Sequence, residues 1–217
     1  MTSPVAVKIC GLSTPEMVHV AVEAGATHVG FMFYERSPRN VTVTQAADLR
    51  LLVHNSVQAV AIMVNPDDTL VDEIARSVKP DLLQLHGSET PERVTAIKTR
   101  TGLPVMKVIS VADAGDVATA EIYEKAADLL LFDAKPPKSM ANALPGGNAV
   151  SFDWSLIADA EPKLPWMLSG GLTPDNVAEA IAQTGARMVD VSSGVEDAPG
   201  QKNEALIRAF VKAAQSA

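Results

Sequence analysis

Short apolar, β-branched runs alternate with amphipathic stretches eight times along this chain, and no other feature constrains its fold as tightly. The runs lie at 5–9, 28–33, 58–64, 82–85, 105–109, 129–132, 166–168 and 188–191. Their starts recur at roughly 24-residue intervals, the length of one strand–helix unit. Helix starts fall between them. Ser13-Thr14-Pro15-Glu16 joins a cap residue to a proline suited to the first helical position, and Thr173-Pro174-Asp175 repeats that chemistry. Ser88, three residues before Pro91, is a looser start. Gly25, Gly102 and Gly185 stand where helices should stop, because a left-handed residue ends a helix most easily. Eight strand–helix units in 217 residues, with no Gly/Ser-rich linker, predict an α/β fold: one (β/α)8 TIM barrel domain spanning 1–217. A doubly wound open sheet is the alternative. It usually carries a Gly-rich turn after its first strand, which Cys10-Gly11-Leu12-Ser13 matches poorly.

Charge and cysteine content narrow the class of partner. The net charge of -8 leaves no basic stripe for nucleic acid or an anionic membrane surface. A local positive pocket for a small anion is still allowed. Cys10 is the only cysteine, so it cannot close an intramolecular disulfide. Residues 1–7 lack the layout of a secretory signal, and no apolar run is long enough to span a bilayer. The expectation is a cytoplasmic protein, monomer or homodimer, with a phosphorylated small molecule as partner.

In such a barrel the working face lies at the C-terminal ends of the strands. Alternation puts Lys8 and Cys10 on one face of the first strand and Val7 and Ile9 on the other. The apolar pair belongs against the helices, so Lys8 and Cys10 should face the barrel axis. Asp133 shares a face with Leu129 and Leu131 and should stand at the same mouth. A thiol and a carboxyl group meeting there form an acid–base pair. A nearby Lys8 ammonium should favour the thiolate, and partial burial should keep Asp133 protonated. Each residue also has a plainer reading. Asp133 could cap its loop, Lys8 could pair with Asp133 or Asp190, Arg39 could be a solvated loop arginine, and His86 a structural histidine.

The loops after the seventh and eighth strands are more specific. Ser169-Gly170-Gly171 and Ser192-Ser193-Gly194 occupy the usual phosphate seat of such barrels, where glycines let backbone N–H groups approach the oxygens. Only His86, Asp133 and Asp190 qualify as strand-end metal ligands, too few for a catalytic metal set, so no metal is expected. The irregular stretch 134–151 has the length of a lid or binding loop.

Seven motifs carry a family resemblance: Lys8-Ile9-Cys10-Gly11, Gly30-Phe31-Met32-Phe33, Ser37-Pro38-Arg39, Leu83-Gln84-Leu85-His86-Gly87, Phe152-Asp153-Trp154, Leu168-Ser169-Gly170-Gly171-Leu172 and the run from Asp190 through Ser192, Ser193 and Gly194 to Glu196. Together they resemble the phosphoribosylanthranilate isomerases, in order and across essentially the whole chain. The resemblance implies an isomerase of tryptophan biosynthesis that works without a cofactor. It would convert N-(5-phosphoribosyl)anthranilate to 1-(2-carboxyphenylamino)-1-deoxyribulose 5-phosphate by an Amadori rearrangement, the third step from chorismate. It further implies Asp133 as the acid that opens the furanose ring and Cys10 as the base at C2. Arg39 would engage the anthranilate end, Gly170, Gly171, Ser192, Ser193 and Gly194 would hold the phosphate, and His86 and Asp190 would line the substrate site. Rival readings fit less well. An indole-glycerol-phosphate synthase would want catalytic lysine and glutamate at strand ends, and a pentose-phosphate epimerase a metal cluster. A silent phosphate-binding barrel would be expected to have lost Cys10 or Asp133.

Overall fold

In the computed structural model, which describes residues 4–137, 144, 146–148, 151–158 and 162–217, eight parallel strands close on themselves. They are β1 (Ala6–Cys10), β2 (His28–Phe33), β3 (Gln58–Met63), β4 (Leu82–Leu85), β5 (Val105–Val111), β6 (Leu129–Ala134), β7 (Trp166–Leu168) and β8 (Met188–Val191). β1 pairs with both β2 and β8, which is the closure that an open doubly wound sheet lacks. The strands read as near-continuous apolar runs because both faces are buried. Inside the barrel, Cys10, Val60, Ile62, Leu82, Met106, Val108, Leu131 and Met167 form their own cluster. Residues of the opposite parity, such as Val7, Ile9, Leu83 and Leu85, pack outward with the helices.

Helix starts follow capping chemistry. Thr14 caps α1 (Pro15–Ala24), Asp67 caps α3 (Asp68–Ser77), and Thr42 forms a full capping box with Gln45 on α2 (Val43–Arg50). At α4 (Pro91–Thr101) the cap is Thr90 rather than Ser88, with Pro91 opening the helix as expected. Gly25 and Gly102 end α1 and α4 in the left-handed conformation. α5 (Ala114–Ala118) is short and runs into a 3₁₀ turn, and α6 is the single turn Ser155–Ala158.

Thr173-Pro174-Asp175 does not open a helix. The Asn176 side chain accepts a hydrogen bond from the Thr173 backbone N–H at 2.7 Å and folds the segment into a turn. α7 (Val177–Thr184) therefore starts at Val177, and Gly185 caps its C-terminal end. Before α8 (Glu204–Gln215) the chain makes a small antiparallel hairpin, β9 (Glu196–Ala198) with β10 (Gln201–Lys202). Among the described residues, no helix is long and apolar enough to cross a membrane.

Candidate active site

The alternation that fills the barrel with apolar side chains turns polar at its C-terminal end. Gln84 continues the face of Leu82, Asp133 that of Leu131, Ser169 that of Met167 and Asp190 that of Met188. Gln84, Asp133 and Asp190 are the next-to-last residues of their strands and Ser169 immediately follows β7, so together they rim one mouth. The cavity there is lined by all ten residues singled out from the sequence: Cys10, Arg39, His86, Asp133, Gly170, Gly171, Asp190, Ser192, Ser193 and Gly194.

Cys10 is a free, buried thiol at the last position of β1. Beneath it Lys8, with no exposure, pairs with Asp190 at 2.8 Å, so of its two candidate partners Asp190 is the one engaged. The second Asp190 oxygen accepts a 3.2 Å bond from the Ser169 hydroxyl. Burial pushes the Cys10 thiol up; Lys8 and Lys202 pull it back and Asp190 adds to the rise, with burial the largest influence. Lys8 favours the thiolate, as expected, but does not decide the direction of the shift. Asp190 shares its charge, and desolvation outweighs the remainder.

Asp133 is buried on β6, and one of its oxygens accepts from the Ala134 N–H at 2.9 Å. The other stands 3.2 Å from His86 Nε2, off the line a hydrogen bond needs. Among the described residues, buried His86 Nε2 and Gln84 Oε1 have no hydrogen-bond partner. Leaving such atoms unpaired costs about 1–3 kcal/mol each, which a polar ligand in the mouth would offset.

Arg39 is not a solvated loop arginine. Its guanidinium meets Glu196 through two parallel bonds, Nε to Oε1 and Nη2 to Oε2, both 2.8 Å, with the side chain 4% exposed. Burial opposes the charge, but Glu196 holds Arg39 above its ordinary value. Part of the connection 134–151, at Gly146 and Gly147, bears on the same wall. Residues 138–143, 145 and 149–150, which include Lys138, Pro145 and Ala149, lie outside the described residues. Gly146 and Gly147 lie within them. A Cβ on Gly146 would stand 2.7 Å from Asp133 Oδ2, and the Gly147 carbonyl accepts from Arg39 Nη2 at 3.3 Å.

On the far wall, Gly170 and Gly171 carry φ of 88° and 66°, a region closed to most side chains. A side chain on Gly194 would collide with the Leu172 carbonyl. These glycines bring the loops after β7 and β8 together and leave backbone facing the mouth.

A family model described as N-(5'phosphoribosyl)anthranilate (PRA) isomerase matches residues 7–213. The chain belongs to this family. A curated N-(5'-phosphoribosyl)anthranilate isomerase from Parvibaculum lavamentivorans is 57% identical over 213 residues, covering 98% of this chain and 99% of the relative. The solved phosphoribosyl anthranilate isomerase from Thermotoga maritima aligns with a TM-score of 0.88 at 35% identity, over 98% of this chain and 100% of the other. A further solved family structure, in complex with reduced 1-(o-carboxyphenylamino)-1-deoxyribulose 5-phosphate, aligns with a TM-score of 0.84 at 34% identity, with 98% and 100% coverage.

Three side chains at or behind the mouth were not found from the sequence. Glu196 stood at the end of a recognised motif but had no assigned partner. Gln84 followed from strand alternation alone and could have been found that way. Lys202 carried no local signal, since its contacts depend on the hairpin that returns it to β8.

Proposed function

We propose that this chain isomerises N-(5'-phosphoribosyl)anthranilate to 1-(2-carboxyphenylamino)-1-deoxyribulose 5-phosphate in tryptophan biosynthesis, with Asp133 as acid and Cys10 as base. The observation that carries this reading is that Cys10, Asp133, Arg39 and both Gly-rich loops line one mouth in a chain of this family.

In this reading the phosphate rests against the backbone of Gly170, Gly171, Ser192, Ser193 and Gly194, and the anthranilate end lies toward Arg39. Anchoring both ends holds the sugar across the mouth. Asp133 gives its proton to the ring oxygen. The C1–O bond breaks as the anilino nitrogen forms a C=N bond, leaving a protonated Schiff base. Cys10, once deprotonated, takes the C2 proton, and the released electron pair forms the C1=C2 bond as the C=N pair returns to nitrogen. The enolamine then tautomerises, taking a proton at C1 and losing the hydroxyl proton at C2 to give the ketone. Lys8 and Lys202 make the thiolate more accessible than burial alone would allow. Both oxygens of Asp190 are engaged by Lys8 and Ser169, so it contributes to the mouth by holding them. His86, beside Asp133, is available to a substrate hydroxyl.

The protein is proposed to act as a monomer or a homodimer. A cytoplasmic location is part of the proposal. The test is conversion of N-(5'-phosphoribosyl)anthranilate by the purified protein, followed by chromatography of the aromatic amine. Formation of the ketose product is expected, and its absence from folded protein would refute the assignment.

A further inference from the structure

Behind the phosphate-facing loop lies a buried ammonium group that does not line the mouth. Lys202 ends β10, and its side chain is 2% exposed. Its Nζ donates to the Ser192 carbonyl at 3.0 Å and to the Ser192 hydroxyl at 3.3 Å, and it also pairs with Glu196. The Ser192 hydroxyl in turn donates to the Cys10 carbonyl at 3.2 Å.

The peptide between Ser192 and Ser193 is trans, so its carbonyl and its N–H point in opposite directions. With Lys202 fixed on the carbonyl, the Ser193 N–H points away from Lys202, and Ser193 and Gly194 line the mouth. The charge also polarises the peptide and makes that N–H a better donor to an anion.

Glu196 extends the arrangement across the mouth. One of its oxygens takes Lys202 and Arg39 Nε; the other takes Arg39 Nη2 and the Gly200 N–H. Gly200, with φ of 83°, presses on the Pro38 backbone, where a Cβ would stand 2.6 Å from the Pro38 carbonyl oxygen. The hairpin thus ties the loop that carries Arg39 to the loop that carries Ser192.

We propose that Lys202 is a positioning residue for substrate binding: it aims the Ser193 N–H at the phosphate and, through Glu196, sets the guanidinium of Arg39 at a fixed span from it. Burial lowers the readiness of Lys202 to hold its proton, and Glu196 works against that loss. The inference rests on reading the loops after β7 and β8 as the phosphate seat.

The experiment compares the parent chain with Lys202→Met and Lys202→Arg. Inorganic phosphate affinity is measured by calorimetry, and KM and kcat by turnover. Lys202→Met is expected to weaken phosphate binding and raise KM by about tenfold or more. Lys202→Arg, which keeps a buried cation and its donors, is expected to recover most of that loss. Should Lys202→Met not fold, Lys202→Gln carries the comparison, with phosphate weakened about threefold or more. A lysine that only stabilised the fold would lower the unfolding midpoint and leave phosphate affinity and KM at parental values. That result overturns the proposal. Failure of the parent itself to bind phosphate would instead overturn the reading of the seat, and the proposal with it.

Discussion

Lys8 and Asp190 are register partners across the seam where the first and last strands close the barrel, and their side chains meet at 2.8 Å inside it. The pair sits directly beneath Cys10. It joins two strands 182 residues apart in sequence and brings a cation and an anion to bear on the thiol.

Removing one partner of this pair is expected to cost far more than removing both. Lys8→Met leaves Asp190 as a buried, uncompensated charge, a loss of about 3–5 kcal/mol. Lys8→Met/Asp190→Leu should recover a substantial part of it. The measurement is the urea midpoint of each variant. A single variant as stable as the parent would show that the pair is not charged or not buried in solution.

The raised Cys10 thiol sets the pH dependence of catalysis. The base form is the thiolate, so kcat/KM should rise with pH and still be climbing above about 8.5, the ordinary thiol value. Burial outweighs Lys8 and Lys202 in setting that direction. A rate profile flat from pH 6 to 9, with chemistry rate-limiting, would contradict a buried thiol base.

Arg39 and Glu196 meet through a planar fork, which lysine cannot reproduce. Arg39→Lys is expected to raise KM by about tenfold, since the two parallel bonds that orient the group are lost. Steady-state kinetics decide this. An unchanged KM would place the anthranilate elsewhere.

His28 supplies an acid limit on stability. It stands at the start of β2 with Thr27 Oγ1 at 2.8 Å from its ring. Burial, helped by Lys8 and opposed by Asp190, Gln58 and Asp81, lowers it from 6.5 to about 4. Below pH 6.5 the unfolded chain takes up a proton that the native ring refuses, so stability falls until the native ring also titrates near pH 4. The slope is at most about 1.4 kcal/mol per pH unit, and less because the ring is not fully buried. Urea midpoints at pH 7 and pH 5, for the parent and His28→Gln, measure it. An equal loss in both would assign the acid limit to other groups.

The strand pattern and the mouth were legible because both follow from alternation. β2, β4, β7 and β8 match the apolar runs residue for residue, and Cys10 and Asp133 face the axis by parity alone. The start of α7 was not legible, because Asn176 competes for the backbone that Thr173-Pro174 would otherwise cap. The β9–β10 hairpin escaped because its strands are too short for periodicity to register. Arg39 with Glu196 joins residues 157 apart, and no local pattern announces such a pair. The direction of the Cys10 shift depends on burial, which a neighbouring lysine in the sequence does not reveal.

A sulfhydryl on β1 and a carboxyl on β6 acting on one sugar is the centre of this account. Turnover of Cys10→Ala and of Asp133→Asn, measured beside inorganic phosphate binding, tests it most directly. Each variant should bind phosphate like the parent while turnover falls by about 10²–10⁴-fold. Parental turnover in either folded variant would remove that residue from the mechanism and contradict the account.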